Sequence, residues 1–103
     1  MLTLTSKQRA HLRKLAHHLK PVVHIGADGV TEAVLRSVAD AFNTRELLKI
    51  KLQESAPVDA RAAGDAIAAA LEDVHPVQTI GRTAVLYRPH PDDPEIRLPS
   101  SRG

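Results

Sequence analysis

The stretch VVHIGADGVT, residues 22–31, decides the fold of this chain. Residues 22–25 form a short apolar run that predicts a buried strand. The loop at residues 26–29 follows, and its two glycines allow positive φ and a close approach of the backbone to a partner. A helix that begins near Thr31 directs its unpaired N–H groups and the positive end of its dipole toward that loop. A strand, a Gly-x-x-Gly loop and a helix in this order are typical of some modules that clamp a nucleic-acid backbone.

Further elements lie on both sides of this stretch. A first helix over about residues 6–19 is predicted, because Thr5 and Gln8 have the spacing of a capping box and an apolar stripe follows. The stripe consists of Leu12, Leu15, Ala16 and Leu19. Periodicity and turn signals then predict a helix over about residues 31–44, a strand over 46–53, a helix over 58–73, and strands over 77–80 and 83–87. The last two strands meet at Gly81-Arg82, which predicts a tight hairpin.

The order α-β-α-β-α-β-β predicts the α/β class. We expect a two-layer domain whose mixed sheet has about four strands and carries the helices mainly on one face. The open face would present Lys49 and Lys51. The domain should span residues 1–89, and the proline-rich residues 90–103 should form an extended or disordered tail. Within that tail, Ile96 and Leu98 are the side chains able to dock on the domain.

Composition excludes several kinds of site. The 103 residues suit a single domain, and the chain has no cysteine, which excludes disulfides and thiolate metal sites. Adjacent His17 and His18 point about 100° apart on a helix, so we expect no metal site and no cofactor. No nucleophile with a base is visible, so catalytic residues are not expected. With Phe42 and Tyr87 as the only aromatic residues, base stacking is not the expected mode of recognition.

The N-terminal sequence has no long apolar run. We therefore expect no signal peptide and no membrane association, and the absence of cysteine fits the cytoplasm. We also expect a monomer.

Charge is distributed unevenly along the chain. Residues 1–51 carry nine Lys/Arg and four Asp/Glu, a balance of +5, whereas residues 52–103 carry five and eight, a balance of −3. The segment from Lys7 to Lys20 has five basic residues, three histidines and no acid. Two interpretations stay open at this point, a surface that faces a polyanion and a merely solvated helix face.

Several motifs resemble those of one family. They are LTSKQR at residues 4–9, LKPVV at 19–23, the loop at 26–29 with VTE after it, and IGRTAVLYRP at 80–89. In this order and spacing they resemble the YhbY-like proteins, stand-alone bacterial members of the CRM domain family. The resemblance covers about residues 2–98. It implies a fold similar to the C-terminal domain of translation initiation factor three, with a glycine loop analogous to that of KH domains.

The resemblance also implies a function and a set of contacts. Bacterial members bind RNA without catalysis and are associated with precursors of the large (50S) ribosomal subunit, so large-subunit ribosomal RNA and the pre-50S particle are the expected partners. Two alternatives remain, namely another structured RNA such as an intron or a messenger, and a protein-interaction adaptor that uses the third helix or the tail. The candidate RNA-binding residues are Gly26, Ala27, Asp28, Gly29, Lys7, Arg9, Arg13, Lys14, Lys20, Lys49, Lys51, Arg82 and Arg88.

Asp28 departs from KH-type loops, which often place a basic residue between the glycines. A carboxylate repels phosphate, so we expect Asp28 to cap the second helix or to stabilise the turn. The backbone N–H groups of Gly29 and Val30 would then be the loop's phosphate donors.

Overall fold

A computed structural model describes residues 3–99, which form three helices and four strands. In chain order these are α1 (Ser6–Ala16), β1 (Pro21–Ile25), α2 (Glu32–Ala41), β2 (Leu47–Leu52), α3 (Ala60–Ala70), β3 (His75–Ile80) and β4 (Thr83–Tyr87). The predicted α/β class and order of elements are confirmed. Residues 1, 2 and 100–103, which include the end of the predicted tail, lie outside the described part of the chain.

The four strands form one mixed sheet in the order β1-β2-β4-β3. β1 and β2 are parallel, as a crossover through α2 requires, and the other two pairs are antiparallel. The predicted hairpin between β3 and β4 is present, and Gly81 takes the positive φ (55°) that its turn needs. β1 and β3 are therefore the edges of the sheet.

One face of the sheet carries α2 and α3. Alternate residues of β2 and β4, such as Leu48 and Leu86, pack there against Val38, Phe42 and Ile67 of the helices or their ends. An added Cβ at Gly64 of α3 would lie 3.7 Å from the side chains of both Ala84 and Leu86. The small residues of α3 thus let that helix approach the sheet closely, as its alanine-rich sequence predicts.

The other face carries α1 and the C-terminal segment, residues 90–99. Leu12 and Ala16 of α1 pack on Leu47, Val85 and Tyr87, which alternate with the residues of the first face. The partly buried side chains of Ile96 and Leu98 join this second cluster. The expectation of an open face is therefore wrong where α1 and the C-terminal segment cover it. An amphipathic pattern shows that a helix buries one side but does not show which surface it packs on.

Helix α1 ends three residues earlier than predicted. The capping box is confirmed, since Thr5 Oγ1 accepts from the Gln8 amide (3.1 Å) and the Gln8 side chain accepts from the Thr5 amide (3.0 Å). The buried stripe consists of Gln8, Leu12 and Ala16, whereas Leu15 and Leu19 are 40% and 37% exposed. The chain leaves the helix at Ala16 because it must already be extended at Pro21, where β1 begins.

The C-terminal segment has no helix or strand, yet it is fixed to the domain by a buried carboxylate. Glu46 is only 3% exposed. Its oxygens accept hydrogen bonds from the backbone amides of His90, Glu95 and Ile96, each at 2.7 Å. The predicted docking of Ile96 and Leu98 is thus present, and Glu46 is the polar anchor beneath it.

Candidate nucleic-acid interface

The glycine loop is a tight turn between β1 and α2. The Gly29 amide donates to the Gly26 carbonyl at 3.0 Å, and Gly29 has a φ of 72°. Ala27 and Asp28 form the exposed tip of the turn. Because the Gly29 N–H already donates inside the loop, the expected phosphate donors are reduced to the Val30 N–H, which stays a prediction.

Both glycines allow a close approach by the connection between β2 and α3. A Cβ at Gly29 would stand 3.1 Å from Pro57 Cγ, and one at Gly26 would stand 3.2 Å from Gln53 Oε1. The Gln53 amide also donates to the Ile25 carbonyl at 2.9 Å. The glycines therefore serve the packing of two adjacent loops as well as the shape of the turn.

Thr31, not Asp28, caps helix α2. Thr31 Oγ1 accepts from the Val34 amide at 3.1 Å, which leaves no capping role for Asp28. The carboxylate of Asp28 has no hydrogen bond within residues 3–99 and lies exposed at the tip of the turn. Glu32 stands in the first turn of α2, where a negative charge suits the helix dipole.

The basic residues of α1 fall into two groups. Lys7, Arg13 and Lys14 are exposed, and Lys20 is exposed just beyond the helix. Arg9 is half-buried, and its guanidinium donates to the carbonyls of Pro76 and Val77 at the β-bulge of β3. Arg9 thus has a structural role that the charge pattern alone did not reveal.

The two lysines of β2 lie on the same face as α1 but differ in exposure. Lys49 is half-buried, and its Nζ donates to the Leu19 carbonyl at 3.0 Å. Lys51 lies farther from α1 and is exposed. Lys51 pairs with His24 of β1 and with Thr83 of β4, and Thr83 pairs with Ile80 of β3. These four residues therefore form one row across the whole sheet.

A groove separates the C-terminal half of α1 from this part of the sheet. It has a volume of about 380 Å³ and is called the basic groove below. Its lining residues are Arg13, Lys14, Ala16, His17, His18, Lys49, Gln78 and Ile80, and no carboxylate is among them. Three of the predicted RNA-binding residues, Arg13, Lys14 and Lys49, are brought together here.

Arg82 and Arg88 lie at opposite ends of β4. The Leu52 amide donates to the Arg82 carbonyl at 2.8 Å, which places Arg82 at the same end of the sheet as the glycine loop. Its guanidinium pairs with Glu54 at 3.3 Å, with both side chains largely exposed. Arg88 lies about 20 Å away, given the length of a five-residue strand and its flanks. Its amide donates to the Glu46 carbonyl at 2.8 Å, so it belongs to the end that carries the C-terminal segment.

Among the predicted residues, the structure thus groups one set and separates another. Arg13, Lys14, Lys49 and Lys51 share one face, with Arg82 and the glycine loop at its end. Arg9 is separated from this group because its guanidinium binds carbonyls of β3, and Arg88 because it lies at the opposite end of β4. His24, Gln78 and Ile80 were missed; the alternation of β1 would have indicated His24, but the other two needed the position of α1.

Two other kinds of site find no support in the described chain. Residues 3–99 contain no group of three or more His, Asp or Glu side chains placed to hold a metal ion. None of the helices in this range combines the length and apolar character needed to cross a membrane.

Comparison with known proteins identifies the family. The family model of the CRS1/YhbY (CRM) domain matches residues 4–88. This chain belongs to the CRM domain family. The resemblance seen in the sequence motifs is thereby confirmed, and the match spans every helix and strand of this CRM domain.

Relatives and a solved structure agree with that assignment. This CRM domain is 41% identical over 99 residues to a Haemophilus influenzae protein named "RNA-binding protein", which covers 96% of this chain and 98% of the relative. It is 35% identical over 96 residues to YqeI of Bacillus subtilis, covering 93% and 99%. Its fold is similar to the solution structure of a Staphylococcus aureus protein, with a TM-score of 0.78 and 33% identity over 94% of this chain and 100% of that one.

Proposed function

We propose that this CRM domain binds structured RNA, specifically large-subunit ribosomal RNA, and assists assembly of the 50S subunit without catalysing a reaction. The observation that carries the proposal is the grouping of Arg13, Lys14 and Lys49 around a groove that no carboxylate lines, with exposed Lys51 on the same face of the sheet. Such a surface suits the phosphate backbone, which supplies most sequence-independent affinity. The name of the Haemophilus influenzae relative supports RNA as the ligand class. The family resemblance supports the ribosomal target.

The division of labour within the interface follows from the geometry. Within residues 3–99, the charged ends of exposed Arg13, Lys14 and Lys51 make no ion pair and no hydrogen bond, so they are available to phosphate. Lys49 keeps further ammonium hydrogens beyond the one donated to Leu19. The glycine loop supplies a compact turn at the end of the sheet, between β1 and α2. Its side chains supply no positive charge.

The first experiment measures affinity for ribosomal RNA against salt concentration. A variant with Arg13, Lys14 and Lys51 changed to alanine should bind more weakly, and its log–log salt slope should fall by roughly 2 to 3, about 0.7–0.9 for each lost contact. The charge-matched control changes Arg36, Arg61 and Arg97 to alanine, three exposed residues that do not line the basic groove. An affinity independent of salt concentration, or an equal loss of affinity in the two triple variants, would contradict an interface at this face.

The second experiment addresses the target. The protein should sediment with pre-50S fractions of a cell extract, and crosslinked RNA should map to large-subunit ribosomal RNA. Crosslinks confined to introns or messengers would favour the alternative in which the protein binds another structured RNA. Absence from all pre-ribosomal fractions would argue against the assembly role.

The adaptor alternative has less support in the fold. The inward face of α3 is packed on the sheet, and the C-terminal segment is bound to Glu46 and the second cluster. Both elements that an adaptor would use are thus engaged within the domain. A stable protein complex that survives RNase treatment would nevertheless favour this alternative.

A further inference from the structure

The floor of the basic groove differs from its walls. Arg13, Lys14 and Lys49 line the groove with positive charge, and His17 lies beside them. Its sheet side, called the floor below, is lined by Gln78 and Ile80 of β3 beside Lys49 of β2. A surface that merely tracked phosphates would need no apolar or amide side chain at this position.

Ile80 is the most exposed large apolar side chain within residues 3–99, at 57%. It lies at the end of an edge strand, opposite Thr83 of β4. An exposed aliphatic side chain is ordinary by itself. Because Ile80 lines the same groove as Arg13, Lys14 and Lys49, this groove suits a ligand that carries both a negative charge and an apolar face.

Gln78 provides the second feature of the floor. Its side chain is half-buried and makes no hydrogen bond to another group in the described part of the chain. An amide offers two donors and one acceptor, which suits the edge of a base. The floor therefore combines an apolar surface and a two-way hydrogen-bonding group about two residues apart on one strand.

We infer that the basic groove holds one unpaired nucleotide of the bound RNA, with its phosphate toward Arg13, Lys14 and Lys49, its base face on Ile80 and its base edge at Gln78. This rests on the proposed function. The volume of about 380 Å³ lies in the range of pockets for small ligands. In a duplex the base faces are stacked, so only an unpaired base can use this floor.

The path out of the groove leads to the glycine loop. The row Ile80, Thr83, Lys51 and His24 crosses all four strands, a distance of about 14 Å at normal strand spacing. His24 stands two residues before Gly26. A strand that leaves the groove thus meets Lys51 midway and then the turn at which α2 begins.

The test compares two RNA probes of equal phosphate number, a hairpin with an unpaired loop and a blunt duplex. Wild type should prefer the hairpin. Ile80→Ser and Gln78→Ala should each reduce hairpin affinity roughly threefold to tenfold, the effect of losing part of one apolar or polar contact, while duplex affinity stays constant. Thr79→Ala, which changes the exposed neighbour on the opposite face of β3, is the matched control and should change neither affinity.

Thermal unfolding of each variant establishes that it is folded, which is expected because Ile80 is largely exposed. The inference is overturned if hairpin and duplex affinities fall together, or if neither substitution alters the wild-type preference. If wild type binds neither probe nor ribosomal RNA, the proposed function itself fails. The two failures are therefore distinguishable.

Discussion

The buried carboxylate of Glu46 accepts a hydrogen bond from the backbone amide of Ile96 at 2.7 Å, across fifty residues of chain. The same carboxylate accepts from the amides of Glu95 and His90. Hydrogen bonds to an ionised acceptor are among the stronger kind. A segment without helix or strand is thus held by a defined polar anchor, and Ile96 is placed against the second cluster.

Glu46→Gln should destabilise the protein. The substitution keeps the shape but replaces one acceptor with an NH₂ group that faces a backbone donor. We expect the free energy of unfolding to fall by about 1–3 kcal/mol, measured by urea denaturation. Glu95→Gln is the control, because that side chain is exposed and should change stability by less than about 0.5 kcal/mol. If both substitutions changed the free energy of unfolding equally, Glu46 would not be the anchor of the C-terminal segment.

Gly29→Ala should cost more stability than Gly81→Ala. Both positions have positive φ, 72° and 55°, so both alanines bear backbone strain of about 1–2 kcal/mol. Only at Gly29 does the new Cβ also meet another residue, Pro57 Cγ at 3.1 Å, whereas nothing lies within 4 Å of a Cβ at Gly81. In a Pro57→Ala background the excess cost of Gly29→Ala should shrink. A cost that does not depend on Pro57 would show that the contact between the loops is unimportant.

Arg9→Ala should act on stability more than on RNA affinity. The guanidinium of Arg9 donates to the carbonyls of Pro76 and Val77, and its loss leaves these β-bulge carbonyls without that partner. We expect a loss of about 1–3 kcal/mol in unfolding free energy. Lys7→Ala is the matched control on the same helix, with an exposed side chain and little expected change. A large loss of RNA affinity with unchanged stability would show that Arg9 contacts RNA and would contradict its structural role.

Tyr87 should make stability fall at alkaline pH. Burial, together with the negative charges of Glu46 and Asp73, raises the pKa of Tyr87 to about 12 from 10.0. The folding stability that comes from this raised pKa is fully present below pH 10 and is lost as pH rises toward 12. The reason is that the unfolded chain releases the phenolic proton at a lower pH than the folded chain does. The loss is up to ~2 kcal/mol and should be smaller in Tyr87→Phe, measured by urea denaturation across this range.

Tyrosinate absorbance gives an independent check, since the chain has a single tyrosine. Titration of the folded protein should show ionisation well above that of the urea-unfolded chain. Identical titration curves in the two states would contradict a buried phenol.

The sequence predicted those features that depend on local chemistry. The capping box of Thr5 and Gln8, the hairpin at Gly81 and the strand before Gly26 were all recognisable, because each is determined by a few neighbouring residues. The helix after the glycine loop was also predicted, although its cap is Thr31 where Asp28 was one candidate.

Features that depend on distant parts of the chain were not recognisable. Glu46 is a charged residue next to a strand, and only the path of residues 90–96 shows that it is buried. In the sequence Arg9 is one of several cations of α1, and only the fold shows that its guanidinium reaches the β-bulge at Pro76. The basic groove combines α1 with β2 and β3, so its floor residue Ile80 could be found only from their packing.

Asp28→Ala should strengthen RNA binding, while Gly29→Ala should weaken it. The carboxylate of Asp28 has no hydrogen bond in the described chain and stands at the exposed tip of the turn, so its main effect on a nearby phosphate is repulsion. Removing a surface charge of this kind is worth about 0.3–1 kcal/mol, or roughly twofold to fivefold in affinity. Gly29→Ala changes no charge but displaces the turn that sets the start of α2. Both affinities are measured by titration with ribosomal RNA at fixed salt, on variants shown by thermal unfolding to be folded. If Asp28→Ala weakened binding more than Gly29→Ala, the carboxylate would be a direct participant, and the loop would contribute a side chain as well as a backbone shape.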